Sequence, residues 1–434
     1  MAYSTLKPLS SLSPLLFNMN WIDAVFSEEG RVWVGFSGGV DSHVLLHALV
    51  NQVSVEQKQK IAVIHVHHGL SANADAWLKH CECICERLSV PYVVERVRLK
   101  AQASVEDAAR NARYEAFQKH MRGRDVILLA HHAGDQVETV LFRLLRGTGG
   151  KGLAGIPQER LLGSGTARLI RPFLTASKND IEDYARQHGL VWIHDESNLD
   201  GRFTRNFLRQ SVVPILTERF PSMEQNIVSS TQRITTDYAM LAQFAQQQLA
   251  MWCNEFGGLD LSYFVEKSTD ERLFWWRYFL QGNGVSLSQS QLESVEAMFS
   301  SAQDKQPEFR FSHGRVMRHQ NAVYVLPMDE DVTLAPLVSG EMLSRAFDQI
   351  CVRGSDGCVL KARPQGENLM MPNGQTRKFK KWLNDQAIPS WWRDHLPYLY
   401  HGDTLVAIGD LWRHPHYSHL NITWQLNRIL PFPK

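Results

Sequence analysis

The 434-residue sequence carries almost no net charge: 46 Lys and Arg stand against 45 Asp and Glu, a formal net of +1. Nothing in that global balance points to nucleic acid, so any anionic partner must be held by a local patch. Long apolar runs are missing as well. Near the start, Leu12, Leu15, Leu16 and Phe17 are interrupted by Ser13, Pro14 and Asn18, and no later run is long enough to span a bilayer. Neither a signal peptide nor a membrane segment is expected, and the cytoplasm is the expected location. Cysteine is sparse. Three of the six crowd into Cys81, Cys83 and Cys85, which is neither a secreted disulfide framework nor a Cys-x-x-Cys pair. The Walker pattern ending in Gly-Lys-Ser/Thr is absent, and Gly150-Lys151-Gly152 is no substitute for it. There is no internal repeat and no low-complexity tract.

What is present is alternation. With 44% hydrophobic residues the chain has apolar material for roughly two to four domains. Short apolar runs at 32–36, 61–66, 92–97 and 126–130 alternate with helical spacing at 44–50, 76–87 and 105–119. The pattern predicts an α/β fold: a parallel sheet with crossover helices over residues 1–220. Loops that begin at Ser37, His67 and His131 then fall at the carboxyl ends of strands, where active sites of such sheets gather. From about residue 221 to 327 the spacing of Ile227, Ile234, Tyr238, Leu241 and Ala245 predicts an all-helical domain. Pro327, Asp329, Glu330, Asp331 and Pro336 read as a linker. Residues 345–434 mix short strands, turns and one basic helix, and read as a small α+β module.

The segment Ser37-Gly38-Gly39-Val40-Asp41-Ser42 sits between a buried-type strand and a helix. Backbone N–H groups on such a turn point at an anion. Gly38 and Gly39 let the main chain approach phosphate, Ser37 and Ser42 add hydroxyl donors, and Asp41 can hold a Mg²⁺ that neutralises a leaving pyrophosphate. The loop resembles that of the PP-loop ATP pyrophosphatases. The resemblance implies an adenine nucleotide alpha hydrolase-like fold, ATP as substrate and cleavage between the α and β phosphates.

Four further segments resemble one family within that group, the bacterial tRNA(Ile)-lysidine synthetases. They are His65-Val66-His67-His68-Gly69-Leu70, Ala130-His131-His132 leading to Asp135-Gln136-Val137-Glu138-Thr139, Arg146-Gly147-Thr148-Gly149-Gly150-Lys151-Gly152-Leu153, and Asp195-Glu196-Ser197-Asn198 followed by Arg205-Asn206-Phe207-Leu208-Arg209. The resemblance implies a ligase that joins L-lysine to the wobble cytidine of the isoleucine tRNA with a CAU anticodon, through an adenylated intermediate. Codon reading changes from AUG to AUA. Asp135 and Glu138, three apart at a helix start, share one face and can hold the lysine ammonium and take its proton. Arg205 is expected to stabilise charge on the α-phosphate, with Arg209 reaching the tRNA; a structural ion pair with Asp195 or Glu196 is the competing reading. Arg110 and Arg113 line the tRNA or lysine pocket, or form a solvated face. His65 is expected to hydrogen-bond the nucleotide rather than bind zinc, and no zinc or iron–sulfur cluster is expected. The family usually carries a second Asp where this chain has Gly134.

Residues 361–393 hold seven Lys and Arg against two acids, a local net of +5. Phe379, Trp382 and Leu383 share one helix face, which turns Lys378 and Lys381 outward; these and Lys380 are candidate phosphate contacts. Of Trp391 and Trp392, one could stack on a nucleotide, Trp392 being the candidate, and the other could be core. This stretch also resembles the carboxy-terminal domain of the longer lysidine synthetases. A tRNA thiolase that receives sulfur is the rival reading, against which the missing Cys-x-x-Cys pairs speak. The sequence leaves oligomeric state open, a homodimer included.

Overall fold

The computed structural model describes residue 15 and residues 17–27, 29–69, 73–97, 105–163, 165–193, 204–300, 307–328, 336–354, 357–427 and 429–433. Six strands, β1 (Val32–Gly35), β2 (Ile61–His67), β3 (Tyr92–Arg96), β4 (Val126–Leu128), β5 (Glu159–Leu161) and β6 (Arg168–Ile170), form one sheet in the order β3-β2-β1-β4-β6-β5. All neighbours pair parallel except β5, which returns antiparallel to β6. The strands are apolar on both faces because helices cover both. Val32, Val34, Ile61, Val63, Val126 and Leu128 pack with Leu45, Leu49, Cys81, Ile84 and Ile181. Their strand neighbours Trp33, Ala62, Ile64 and Ile127 point the other way, against Phe117 and Met121. The expected crossover helices are there, as Val40–Gln52, Ala74–Arg87 and Val105–His120. The chain runs outward from β1 to β2 and β3, then returns to the other side of β1 for β4. Strand order reverses between β1 and β4, which opens a crevice above their carboxyl ends.

The chain divides into two compact units, Met1–Ala239 and Met240–Lys434, and the boundary falls inside the 30-residue helix Met223–Trp252. In the second unit helices Thr269–Gly282 and Gln289–Ser300 follow the expected spacing. The expectation of an all-helical stretch to 327 is overturned. Strands β7 (Leu259–Asp260), β8 (Glu308–Phe311), β9 (Gly314–His319) and β10 (Ala322–Pro327) form a four-stranded sheet in the order β7-β10-β9-β8. The physical reason lies in Arg315-Val316-Met317 and Val323-Tyr324-Val325, rich in β-branched and bulky side chains. They flank a tight hairpin turn whose Gln320 takes a φ of 52°. Asp329, Glu330 and Asp331 of the expected linker lie outside the described residues.

Among the described residues beyond 336 the strands are antiparallel, with one short α-helix, Phe379–Asp385. Its Phe379, Trp382 and Leu383 are buried, and Met317, Tyr324 and Leu326 join the same core as Trp391, Trp392 and Phe432. Trp392 is therefore no stacking platform. It is 0% exposed, packs edge-on against Trp424 and Phe432, and donates its indole N–H to the Pro431 carbonyl at 2.9 Å; Trp391 donates to the same oxygen at 2.8 Å. Among the described residues no helix is long and apolar enough to cross a membrane. Trp392→Ala should cost the fold about 3–5 kcal/mol, as deletion of a buried Trp does. Urea denaturation checks this, and a loss below about 1 kcal/mol would contradict the core assignment.

Candidate active site

A cavity of about 640 Å³ opens at the strand-order reversal, within the size range of small-molecule sites. Ser37, Asp41 and Ser42 after β1, His65 to Gly69 at the end of β2, and Ala130, His131 and Asp135 after β4 line it, with Arg113 on one wall. The glycine loop is tightly built. Gly38 has a φ of +85°, and a Cβ there would lie 2.6 Å from Ile193 Cδ1 and 2.9 Å from Cys81 Sγ. The Gly38 carbonyl accepts from the Ile193 N–H at 3.0 Å, and Val191 O lies 2.9 Å from His43 Nδ1. Residues 191–193 thus strap the loop from behind. Ser42 Oγ accepts from the Ser37 N–H and donates to Gly39 O. Helix Val40–Gln52 starts at Gly39 with no side-chain cap, so its first N–H groups face an anion site.

Three histidines of the cavity, His65, His68 and His131, are held neutral by burial. Burial lowers His68 and His131 to about 4, the latter despite the nearby Asp135 carboxylate. Burial also lowers His65, whose Nδ1 lies 2.8 Å from Phe36 O. His68 Nδ1 and His131 Nδ1 are buried in the cavity wall with no partner, as expected of groups that await a polar ligand. Burial holds Cys81 and Cys85 up near 12, so neither is a thiolate at neutral pH.

Three carboxylates crowd one edge, and each is met by a cation of the chain. Lys178 Nζ lies 2.6 Å from Asp41 Oδ1. Arg209 reaches Glu138 through Nε at 2.5 Å and Nη2 at 3.0 Å, and Asp135 through Nη2 at 3.4 Å. His132 joins the groups. Its Nδ1 accepts from the Gly134 N–H at 3.0 Å as the cap of helix Ala133–Leu145, which places a ring proton on Nε2. That Nε2 stands 3.7 Å from Asp135 Oδ2 and 4.0 Å from Asp41 Oδ1. The cap also explains Gly134: a Cβ there would fall 2.8 Å from His132 Cε1, so the ring occupies the space a side chain would need. The two carboxylates of the pair are driven apart. Burial raises Asp135, but the His132 and His131 rings, the His132 N–H and Arg209 outweigh it and hold the group low. Burial keeps Glu138 above the usual carboxylate range in spite of Arg209. Such divergence marks one carboxylate that stays charged and one suited to exchange a proton.

Ser37, Gly38, Gly39, Val40, Asp41, Ser42, His65, Asp135 and Glu138 are brought together as the sequence predicts. Arg209, expected to reach the tRNA, lies on Asp135 and Glu138; Asp195 and Glu196, the partners of the competing reading, lie outside the described residues. Arg205, in the turn Thr204–Phe207, is half-buried and does not line the cavity; its charge falls on Arg143. Arg113 is exposed at the cavity rim. Sequence reasoning missed Lys178, the capping role of His132, and Glu224, whose carboxyl is raised by burial and by Asp180 against the opposing effect of His132. The Ser177-x-x-Asp180 capping box could have announced the helix that carries Lys178, though not the carboxylate it meets.

On the second unit, Lys361 pairs with Asp403 and Arg363 with Asp394, each at 3.1 Å, and Arg377 pairs with Asp385. Lys378, Lys380 and Lys381 are exposed and meet no carboxylate among the described residues. Lys378 and Lys380 border a groove of about 850 Å³ with Arg363 and Glu367. Of the four cations left, the half-buried Arg393 donates to the Ile388 carbonyl, so the exposed unneutralised patch is three lysines, fewer than composition suggests.

Two outcomes test the site. Gly38→Ala should abolish ATP binding in equilibrium dialysis, because the loop cannot keep its positive φ and its contact with Ile193. His43, His68 and His131 all sit near 4 in the fold against 6.5 unfolded. The unfolded chain therefore binds more protons, and stability should fall as pH drops from about 6.5 toward 4. A melting temperature that stays flat from pH 7.5 to 5 would contradict this, and His43→Gln should make the slope shallower.

Three family models match the chain: the PP-loop domain over residues 15–216, the TilS substrate binding domain over 274–324 and the TilS substrate C-terminal domain over 358–426. The chain is 36% identical to the tRNA(Ile)-lysidine synthase of Pseudomonas putida over 397 residues, 87% of this chain and 92% of that one. It is 34% identical to the synthase of Vibrio cholerae over 401 residues (88% and 90%) and 33% identical to that of Proteus mirabilis over 414 (90% and 92%). Identity of a third sustained over nearly the whole length of both chains, together with an intact pyrophosphate loop, shows that the chain belongs to the tRNA(Ile)-lysidine synthetases, ATP-using enzymes of tRNA modification.

Proposed function

We propose that the first unit joins L-lysine to C2 of the wobble cytidine of tRNA(Ile) bearing a CAU anticodon, in two displacements. In the first, the cytidine 2-oxygen attacks the α-phosphate of ATP and pyrophosphate leaves. In the second, the lysine ε-amine attacks C2, AMP leaves with the oxygen, and the amine proton passes to a carboxylate. The observation that carries this reading is the Asp135/Glu138 pair, two carboxylates of divergent proton affinity at the edge of the cavity that the pyrophosphate loop closes. Asp135 stays charged and holds the ammonium. Glu138, with the higher proton affinity, is the acceptor. A Mg²⁺ bound with ATP would neutralise pyrophosphate as it leaves; Asp41, whose Oδ1 alone is engaged by Lys178, has a carboxylate oxygen to offer it. Neutral His65, His68 and His131 fit hydrogen bonding to nucleotide or base. Arg205 and Arg113 are assigned to phosphate of the substrates. In the second unit, Lys378, Lys380 and Lys381 hold the tRNA backbone.

Asp41→Ala should abolish formation of the adenylated tRNA, followed with α-labelled ATP. Glu138→Ala should keep adenylation and slow labelled-lysine transfer about 10²–10⁴-fold. Equal loss of both steps in the second variant would remove Glu138 from the acceptor role, and incorporation of labelled sulfur in place of lysine would sink the whole reading. The Lys380→Ala/Lys381→Ala double variant should reduce the slope of log affinity for tRNA against log salt by about one per lysine. An unchanged slope would mean that the patch does not touch RNA.

A further inference from the structure

The amine site is already full. Arg209 spans both carboxylates with three contacts between 2.5 and 3.4 Å, and Glu138 is only 6% exposed. Glu138 is buried and Asp135 partly so, and removing the cation from such a cluster is costly. Arg209 engages both oxygens of Glu138 and Oδ1 of Asp135, and the His132 N–H donates to Asp135 Oδ2, so an arriving ammonium finds every carboxylate oxygen of the pair already partnered. Lysine therefore cannot enter unless Arg209 leaves.

We propose that Arg209 is a specificity-determining residue that sets the order of the reaction: it occupies the lysine site of the free enzyme and yields it only when the phosphate of the nucleotide-bearing RNA draws its guanidinium away. The proposal rests on the reading of Asp135 and Glu138 as the lysine site.

The local backbone is suited to such a shift. Arg209 lies in a π-turn, Leu208–Val212, closed by the Val213 N–H on the Leu208 carbonyl and continuous with α-helical residues on either side. A π-turn carries one residue more than an α-turn and is often found at functional sites. Passing the extra residue along the helix turns each side chain by about 100° around the axis, which would carry Arg209 off the carboxylates without unfolding the segment. Its side chain is 43% exposed, so the guanidinium has solvent on one side and a route to an anion. The Asp41–Lys178 pair at 2.6 Å follows the same logic for the nucleotide half of the site. Departure of Arg209 also removes the hydrogen bonds that hold down the proton affinity of Glu138, so the acceptor strengthens as the amine arrives.

The test is equilibrium dialysis of labelled L-lysine against the full chain. Wild-type protein without ATP and tRNA should bind lysine at least tenfold more weakly than wild type with both present. Arg209→Met, which keeps the apolar stem and removes the charge, should tighten lysine binding at least tenfold in the absence of ATP and tRNA. Arg209→Lys, a point charge without the fork, should fall between the two. Structural damage alone cannot produce a gain in affinity. Equal lysine affinity in the free and loaded wild type would overturn the proposal with no substitution needed, and so would folded Arg209→Met or Arg209→Lys with unchanged affinity. Failure of the underlying reading looks different: wild type would then transfer no labelled lysine to tRNA at all.

Discussion

A carboxylate withdrawn from water must be given a cation or a proton, and this requirement organises the catalytic unit. Asp41, Asp135 and Glu138 converge at the carboxyl edge of the sheet, where phosphate donors are also gathered. Lys178 and Arg209 arrive from later in the chain to neutralise them, across 137 and 71 residues of sequence. These charge contacts between distant segments are thus made by the groups a nucleotide or an amine would engage. Folding and binding compete for the same carboxylates, which keeps the site ordered and its charges exchangeable.

Topology decides where that edge lies. Because the chain builds β2 and β3 on one side of β1 and β4 on the other, the loops after β1 and β4 stand side by side. Neither loop is sufficient alone. The first supplies uncapped N–H groups and a glycine pinned by residues 191–193; the second supplies a histidine cap whose other nitrogen faces both Asp41 and Asp135. The His132 cap packs against Gly134, where an added Cβ would fall 2.8 Å from the ring, so a side chain at 134 would require the cap to shift.

The second unit keeps its exposed charge in a small place. Trp382, Trp391 and Trp392 are spent on the interior, and three of the seven cations of its basic cluster are neutralised by aspartates. What is left is a short helix start with three unpaired lysines above a buried aromatic face.

Residues 1–220 were legible as a parallel α/β sheet because strand and helix periods, glycine turns and capping residues act over a few residues at a time. The glycine loop, the Asp135/Glu138 face and the outward lysines of the basic helix are local patterns of that kind. The hairpin of β9 and β10 was misread since short apolar runs carry no unambiguous period. Tertiary structure alone decided that Trp392 is core, that Lys178 meets Asp41, and that Arg209 lies on the two carboxylates. Burial of an aromatic ring and pairing of distant charges depend on which segments the fold brings within a few ångströms, and no spacing along the chain encodes that distance.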